Sequence, residues 1–358
     1  MKKALSLIIA VVMLMCSFGI AVSAQTDTVT VADGIDALTA QFVQGEGPKT
    51  NGYAIDYHYF SPVKEDDTQK YPLVIWLHGM GDGGNPGKQV EKSQIGYWSS
   101  AEFQSRFGEA QGAFIFAPRS PEEKLMFWDD ALIYPLRAAI DSFIEANAEN
   151  VDISRIYIGG YSMGGKMTLK MAVAYPDMFA AIFPICPAWT PSDAEFELIS
   201  DIPLWLTSGK TDPLINYTGS VVPMWNSIKS TNNAPENCRL STLETVRYSD
   251  GSKTSSGHHA WFSVSYDMFS VENGDYPDMT TVNGAEETVV LAYPDGMISW
   301  LSQFSSDFDG SKATDSGNIQ VESGLKGNAL FAAVSEFIAG IKRLLEQFAS
   351  MIENFLKF

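Results

Sequence analysis

The sequence predicts one α/β domain, a mostly parallel central sheet with helices on both faces. Three observations lead there. Short, wholly apolar runs such as Leu73-Val74-Ile75-Trp76-Leu77 have the length and composition of strands buried on both faces. Segments with helical spacing, such as Ile133 to Ala146, fall between them. Strand and helix alternate along the chain, which implies right-handed crossovers and parallel neighbours.

The elements follow in order. Tyr53 to Phe60 alternates as a strand. Leu73 to Leu77 and Ala113 to Ala117 are the next two. Ile133 to Ala146 is a helix, and Arg155-Ile156-Tyr157-Ile158 a strand after it. Lys166 to Tyr175 reads as a helix stopped by Pro176. Ala181 to Ile185, Leu204 to Thr207 and Thr242 to Tyr248 are further strands, and Met297 to Phe304 is a closing helix. In sheets of this kind, functional residues sit on loops beyond the carboxyl ends of the strands.

The ends of the chain differ from this middle. Lys2 and Lys3 precede an apolar run, Leu5 to Met15, and small residues Ala21-Val22-Ser23-Ala24 close it. That layout is expected of a cleaved secretory signal peptide over residues 1–24 and a secreted, extracellular product. The expected catalytic domain is 25–304. Residues 305–328 are rich in Ser, Gly and Asp and read as a flexible linker. From 329 to 358, Val334, Ile341, Phe348 and Phe355 recur every seven residues, the mark of an amphipathic helix. Its stripe suits self-association, contact with a surface or docking on its own domain. The whole chain carries 24 basic and 43 acidic residues, a formal net charge of −19. Such a charge argues against nucleic acid and anionic membranes as partners. Past the leader only Cys186 and Cys238 remain, too few for a disulfide framework.

Gly160-Tyr161-Ser162-Met163-Gly164 fits G-x-S-x-G and stands between a strand and a helix, the context a nucleophile turn requires. The glycines admit a sharp, strained turn that lifts Ser162 above the sheet. The overlapping G-x-x-x-x-G-K of a phosphate loop lacks its hydroxyl: Met167 stands where Ser or Thr is needed. Leu77-His78-Gly79-Met80-Gly81 follows the strongest strand. Its free amides, with the amide after the nucleophile, suit an oxyanion hole, for which Met80 and Met163 are the expected donors. Gly79 or Gly81 could replace Met80, and His78 is expected to hold the loop. A serine needs a base. Of four histidines, only His258 and His259 lie downstream of Ser162. Asp212, just past a buried strand, is the candidate acid, and Asp250 its rival. Trp128, Trp189 and Trp261 follow strand ends or site loops and could form an aromatic, substrate-binding wall. There is no H-E-x-x-H, C-x-x-C or dinucleotide fingerprint, so no metal or organic cofactor is expected.

Four blocks together resemble a known group: Tyr71 to Gly79, Arg155 to Gly165, Gly209-Lys210-Thr211-Asp212 and Gly257-His258-His259-Ala260-Trp261. Over about residues 50–305 the chain is similar to α/β-hydrolase fold secreted esterases and peptidases related to the prolyl oligopeptidase catalytic domain, polyhydroxybutyrate depolymerases and feruloyl esterases. The resemblance implies the α/β-hydrolase fold. It also implies a Ser162–His258–Asp212 triad, with Gly-His-x-x-Trp favouring His258 over His259. The implied activity is ester hydrolysis on a small-molecule or polysaccharide-linked ester, such as a feruloyl or acetyl ester. The alternatives are a prolyl oligopeptidase-like serine peptidase and a non-catalytic surface-binding protein. One departure stands out. Tyr266 to Pro294, acidic and turn-rich, separates the histidine from the last helix, and is expected either to cap the site or to decorate an edge.

Overall fold

The computed structural model describes residues 31–62, 68–83, 85–121, 124, 127–248, 252–254, 256–269, 278–292 and 295–313. The expected leader, the expected C-terminal helix, most of the expected linker and Asp250 lie outside the described residues.

The strands are β1 (Val43–Glu46), β2 (Asp56–Phe60), β3 (Tyr71–Leu77), β4 (Phe114–Pro118), β5 (Val151–Tyr161), β6 (Ala181–Ile185), β7 (Leu204–Gly209), β8 (Cys238–Leu243), β9 (Val246–Arg247), β10 (Lys253–Thr254) and β11 (Met279–Asn283). Nine of them make one sheet in the order β1-β2-β4-β3-β5-β6-β7-β8-β11, and β9 and β10 form a separate pair. From β4 through β8 every neighbour is parallel. β1, β2 and β11 add antiparallel edges.

The apolar runs are explained by burial on two faces. All seven residues of β3 are buried. Leu73, Ile75 and Leu77 face one core with Leu136, Ile140 and Phe143 of the helix Ile133–Ala146 and Met167 and Met171 of the helix Met163–Ala174. Val74 and Trp76 face the other core, with Trp98, Phe183, Trp205 and Trp300. The switch at each residue is the two-residue period of a strand.

The sequence expectation needs two corrections. Thr242 to Tyr248 is not one strand. β8 begins earlier, at Cys238, and stops at Leu243 before the short β9. Polar Ser241 disguised it, because its hydroxyl is buried and accepts from Trp205 Nε1 at 2.8 Å. Secondly, the first part of the expected linker is docked. Ser306 N–H donates to Ser154 O at 2.8 Å, and Phe308 joins the core beneath the Arg137 guanidinium. Of the two expectations for the segment after the histidine, the edge is where it goes: it supplies β11, which pairs with β8 at the sheet edge. Asp267 anchors its start, bonding to Arg106 at 2.8 Å and accepting from Met297 N–H at 2.7 Å. Cys186 and Cys238 are both buried free thiols.

Candidate active site

The candidate residues gather beyond the carboxyl ends of β3, β5, β7 and β8. Ser162 follows β5 directly, with φ 56° and ψ −114°. A non-glycine residue held there is strained, as a nucleophile turn demands. Two bonds to the neighbouring strand end fix it: Ser162 N–H donates to Ile185 O at 2.9 Å, and Ser162 O accepts from Ala188 N–H at 3.0 Å. Close packing explains the glycines. A Cβ on Gly164 would lie 2.0 Å from Leu77 O, and one on Gly160 2.3 Å from the same atom.

Asp212 and His258 meet although 46 positions apart: His258 Nδ1 lies 2.8 Å from Asp212 Oδ2. The turns that carry them touch, since a Cβ on Gly209 would come within 2.3 Å of Gly257 Cα. Asp212 Oδ1 accepts from the Leu214 and Ile215 amides at 2.8 and 2.9 Å. Burial would raise this carboxyl. The His258 charge and hydrogen bond and the two amides outweigh burial and hold it below its ordinary value. His259 points elsewhere, its Nδ1 2.6 Å from the Tyr248 hydroxyl. Among the described residues no hydrogen bond joins the Ser162 hydroxyl to His258. Such bonds are often loose before substrate binds.

The His78 loop lies beside the elbow, because Leu77 pairs in register with Gly160. His78 is fully buried. Its Nδ1 lies 2.6 Å from Gly79 O, and its Nε2 accepts from Ser120 N–H at 3.0 Å. Together these bonds require the neutral ring with its proton on Nδ1. Burial drives its pKa down to about 4, the Gly79 bond opposes, and Arg119 adds to the fall. His78 therefore holds the loop. The Met80 amide lies in the turn that Asp82 N–H closes onto Gly79 O. Met163 opens its helix, so its amide has no intrahelical carbonyl to meet.

The three expected wall tryptophans separate. Trp128 is fully buried and donates from Nε1 to His78 O at 3.0 Å. It cannot line a substrate surface, and instead supports the loop from within. Trp189 is half-buried, with the Lys170 ammonium 3.8 Å from its ring centre. Trp261 is half-buried against Tyr161, ring centres 5.3 Å apart.

Sequence reasoning missed Cys186, whose sulfur lies 3.7 Å from Gly257 O. Donor atoms of Cys186, Asp212 and His258 all lie within 4.8 Å of one another, the one grouping among the described residues that could hold a metal ion. Burial, then the Asp212 charge, pushes the thiol well above its ordinary value, which works against the thiolate a metal takes. Nothing in the sequence marked this cysteine, because its neighbours arrive from other strands.

A model of the phospholipase/carboxylesterase family matches residues 129–253, a stretch that holds the elbow and Asp212 and stops before His258. NocK of Nocardia uniformis subsp. tsuyamanensis, a provisionally named esterase, is 31% identical over 218 residues, 60% of this chain and 60% of its own. The poly(3-hydroxybutyrate) depolymerase of Ralstonia pickettii is 27% identical over 146 residues, 37% of this chain and 29% of its own. The crystal structure of a thermostable esterase matches with a TM-score of 0.53 and 24% identity, covering 65% of this chain and 62% of that one. The chain thus spans less than two thirds of the length of each of these three proteins.

Proposed function

We propose that this chain, which has the α/β-hydrolase fold, is a serine hydrolase cleaving carboxylic esters through Ser162, His258 and Asp212. The observation that carries this reading is the Asp212–His258 pair at 2.8 Å, at the same carboxyl end of the sheet as the strained Ser162 turn. Ser162 Oγ attacks the ester carbonyl carbon while His258 Nε2 takes its proton. Asp212 keeps the ring in the right tautomer and stabilises the imidazolium. The Met80 and Met163 amides bind the oxyanion, each such donor being worth about 3 kcal/mol in the transition state. His258 then protonates the departing alcohol, and water frees the acyl group by the same steps in reverse.

The names of the relatives support an ester over a peptide bond. The half-buried Trp189 and Trp261 support an aryl or sugar-linked acyl group, such as a feruloyl or acetyl ester of a polysaccharide. Export belongs to the same proposal and rests on the layout of residues 1–24.

The test is p-nitrophenyl acetate hydrolysis by the wild type and Ser162→Ala, in medium and in lysate of the producing cells. We expect the variant to lose at least about a thousandfold in kcat. Equal rates would sink the enzyme reading, and activity confined to lysate would sink export. Feruloyl, acetyl-xylan and proline-peptide substrates then rank the bond types.

A further inference from the structure

Asp82 and Tyr161 play no part in the steps above. The Tyr161 hydroxyl donates to Asp82 Oδ2 across 79 positions of sequence. Tyr161 is the last residue of β5 and the chain neighbour of Ser162. Asp82 closes the turn that contains the Met80 amide. The Tyr161 ring also lies on Gly79: a Cβ there would come within 2.4 Å of it. The ring also meets Trp261, three residues after His258. One side chain therefore touches the oxyanion loop twice, the nucleophile through the chain, and the segment that carries the base.

We infer that the Asp82–Tyr161 hydrogen bond is a positioning clamp that holds the Met80 amide in register with Ser162 and the Met163 amide. The inference rests on the hydrolase reading and extends it to two residues that touch no substrate. An oxyanion hole works only if both donors stand about 2.7–3.1 Å from the place the oxyanion will occupy. Here the two donors belong to different segments. The loop that carries one holds Gly79, Gly81 and Gly83, residues with wide backbone freedom. A side-chain bond from the loop to the end of β5 removes that freedom.

The clamp is sensitive to pH. Enclosure in the protein pushes the Asp82 carboxyl up to about 7, with Lys92 and His258 acting in the opposite direction. Among the described residues, those two groups and the Tyr161 hydroxyl are the titratable neighbours that face it. Once ionised, Asp82 accepts a charge-assisted bond, roughly twice as strong as a neutral one. The clamp is therefore tighter at pH 8 than at pH 6.

The experiment compares wild type, Ser162→Ala, Tyr161→Phe, Asp82→Ala and Asp82→Asn on p-nitrophenyl acetate from pH 6 to 8. Tyr161→Phe and Asp82→Ala should each lower kcat at pH 8 about tenfold, with KM within about twofold. Asp82→Asn keeps a neutral acceptor. Its kcat should match the wild type at pH 6 and fall about threefold below it at pH 8. Tyr161→Phe removes a single hydroxyl and guards against misfolding of the aspartate variants. A Ser162-dependent wild type matched by Tyr161→Phe, or a wild-type to Asp82→Asn ratio that ignores pH, overturns the clamp alone. A wild type no faster than Ser162→Ala overturns the hydrolase reading, and the clamp with it.

Discussion

The His78 loop and the His258 turn stand at the same carboxyl end of the sheet and put one residue type to opposite uses. In both, Nδ1 has an oxygen partner: Gly79 O at 2.6 Å for His78, and Asp212 Oδ2 at 2.8 Å for His258. The other nitrogen separates them. His78 Nε2 is filled by the Ser120 amide at 3.0 Å and the ring is 0% exposed. His258 Nε2 has no hydrogen-bond partner among the described residues, and its side chain is 14% exposed. The oxygens differ as well. A carboxylate stabilises the imidazolium that forms when a base takes a proton, and a carbonyl does so far less. His78 faces the positive charge of Arg119 instead. A catalytic histidine is thus recognised by a free nitrogen and an anionic partner.

The largest expected effect tests which histidine is the base. His258→Ala should lower kcat/KM for p-nitrophenyl acetate by at least about a thousandfold. His259→Ala should cost less than about tenfold, since His259 bonds to Tyr248 rather than to an acid. The reverse ranking would hand the catalytic role to His259 and undo the comparison.

A smaller effect sharpens the contrast from the structural side. His78 has a folded-state pKa of about 4 against an ordinary 6.5. Above pH 6.5 neither state is protonated, and the ring contributes no pH dependence. Between 6.5 and 4 the unfolded chain binds a proton that the fold refuses, so stability falls as pH falls. The loss is complete near pH 4 and amounts to about 3 kcal/mol. Chemical denaturation at pH 7 and pH 4.5 measures it. His78→Gln should be less stable than wild type at pH 7, yet lose about 2–3 kcal/mol less on acidification. An identical loss in both proteins would mean that His78 is not held neutral.

The same division explains what could be read before the structure. The elbow is contiguous, so five residues between a strand and a helix announce it. The helix Ile133–Ala146 and the strand Ala181–Ile185 keep their expected bounds, because burial writes an unbroken or periodic apolar pattern. β8 and β11 were missed where buried hydroxyls replace apolar residues: Ser241 and Thr281 bond each other at 2.7 Å inside the sheet. The supports of the oxyanion loop were also illegible. Ser120, Trp128 and Tyr161 reach it across 42, 50 and 79 positions, and no local pattern pairs residues at such separations.

Trp128 gives the smallest and most discriminating effect. As a substrate wall it would set selectivity, and replacing it would change KM for aryl esters more than for acetyl esters. As found, it donates to His78 O at 3.0 Å and packs on the His78 ring at 5.1 Å between centres. Trp128→Phe keeps most of the apolar volume and removes the donor. It leaves a buried carbonyl short of one partner, at a cost of about 1–2 kcal/mol in stability. The root of the oxyanion loop loosens, so kcat should fall about threefold to tenfold for every ester alike, with KM nearly constant. Feruloyl and acetyl substrates assayed side by side decide it. A loss confined to the aryl ester would return Trp128 to the binding surface, whereas a common loss keeps it with His78, on the structural side of the divide.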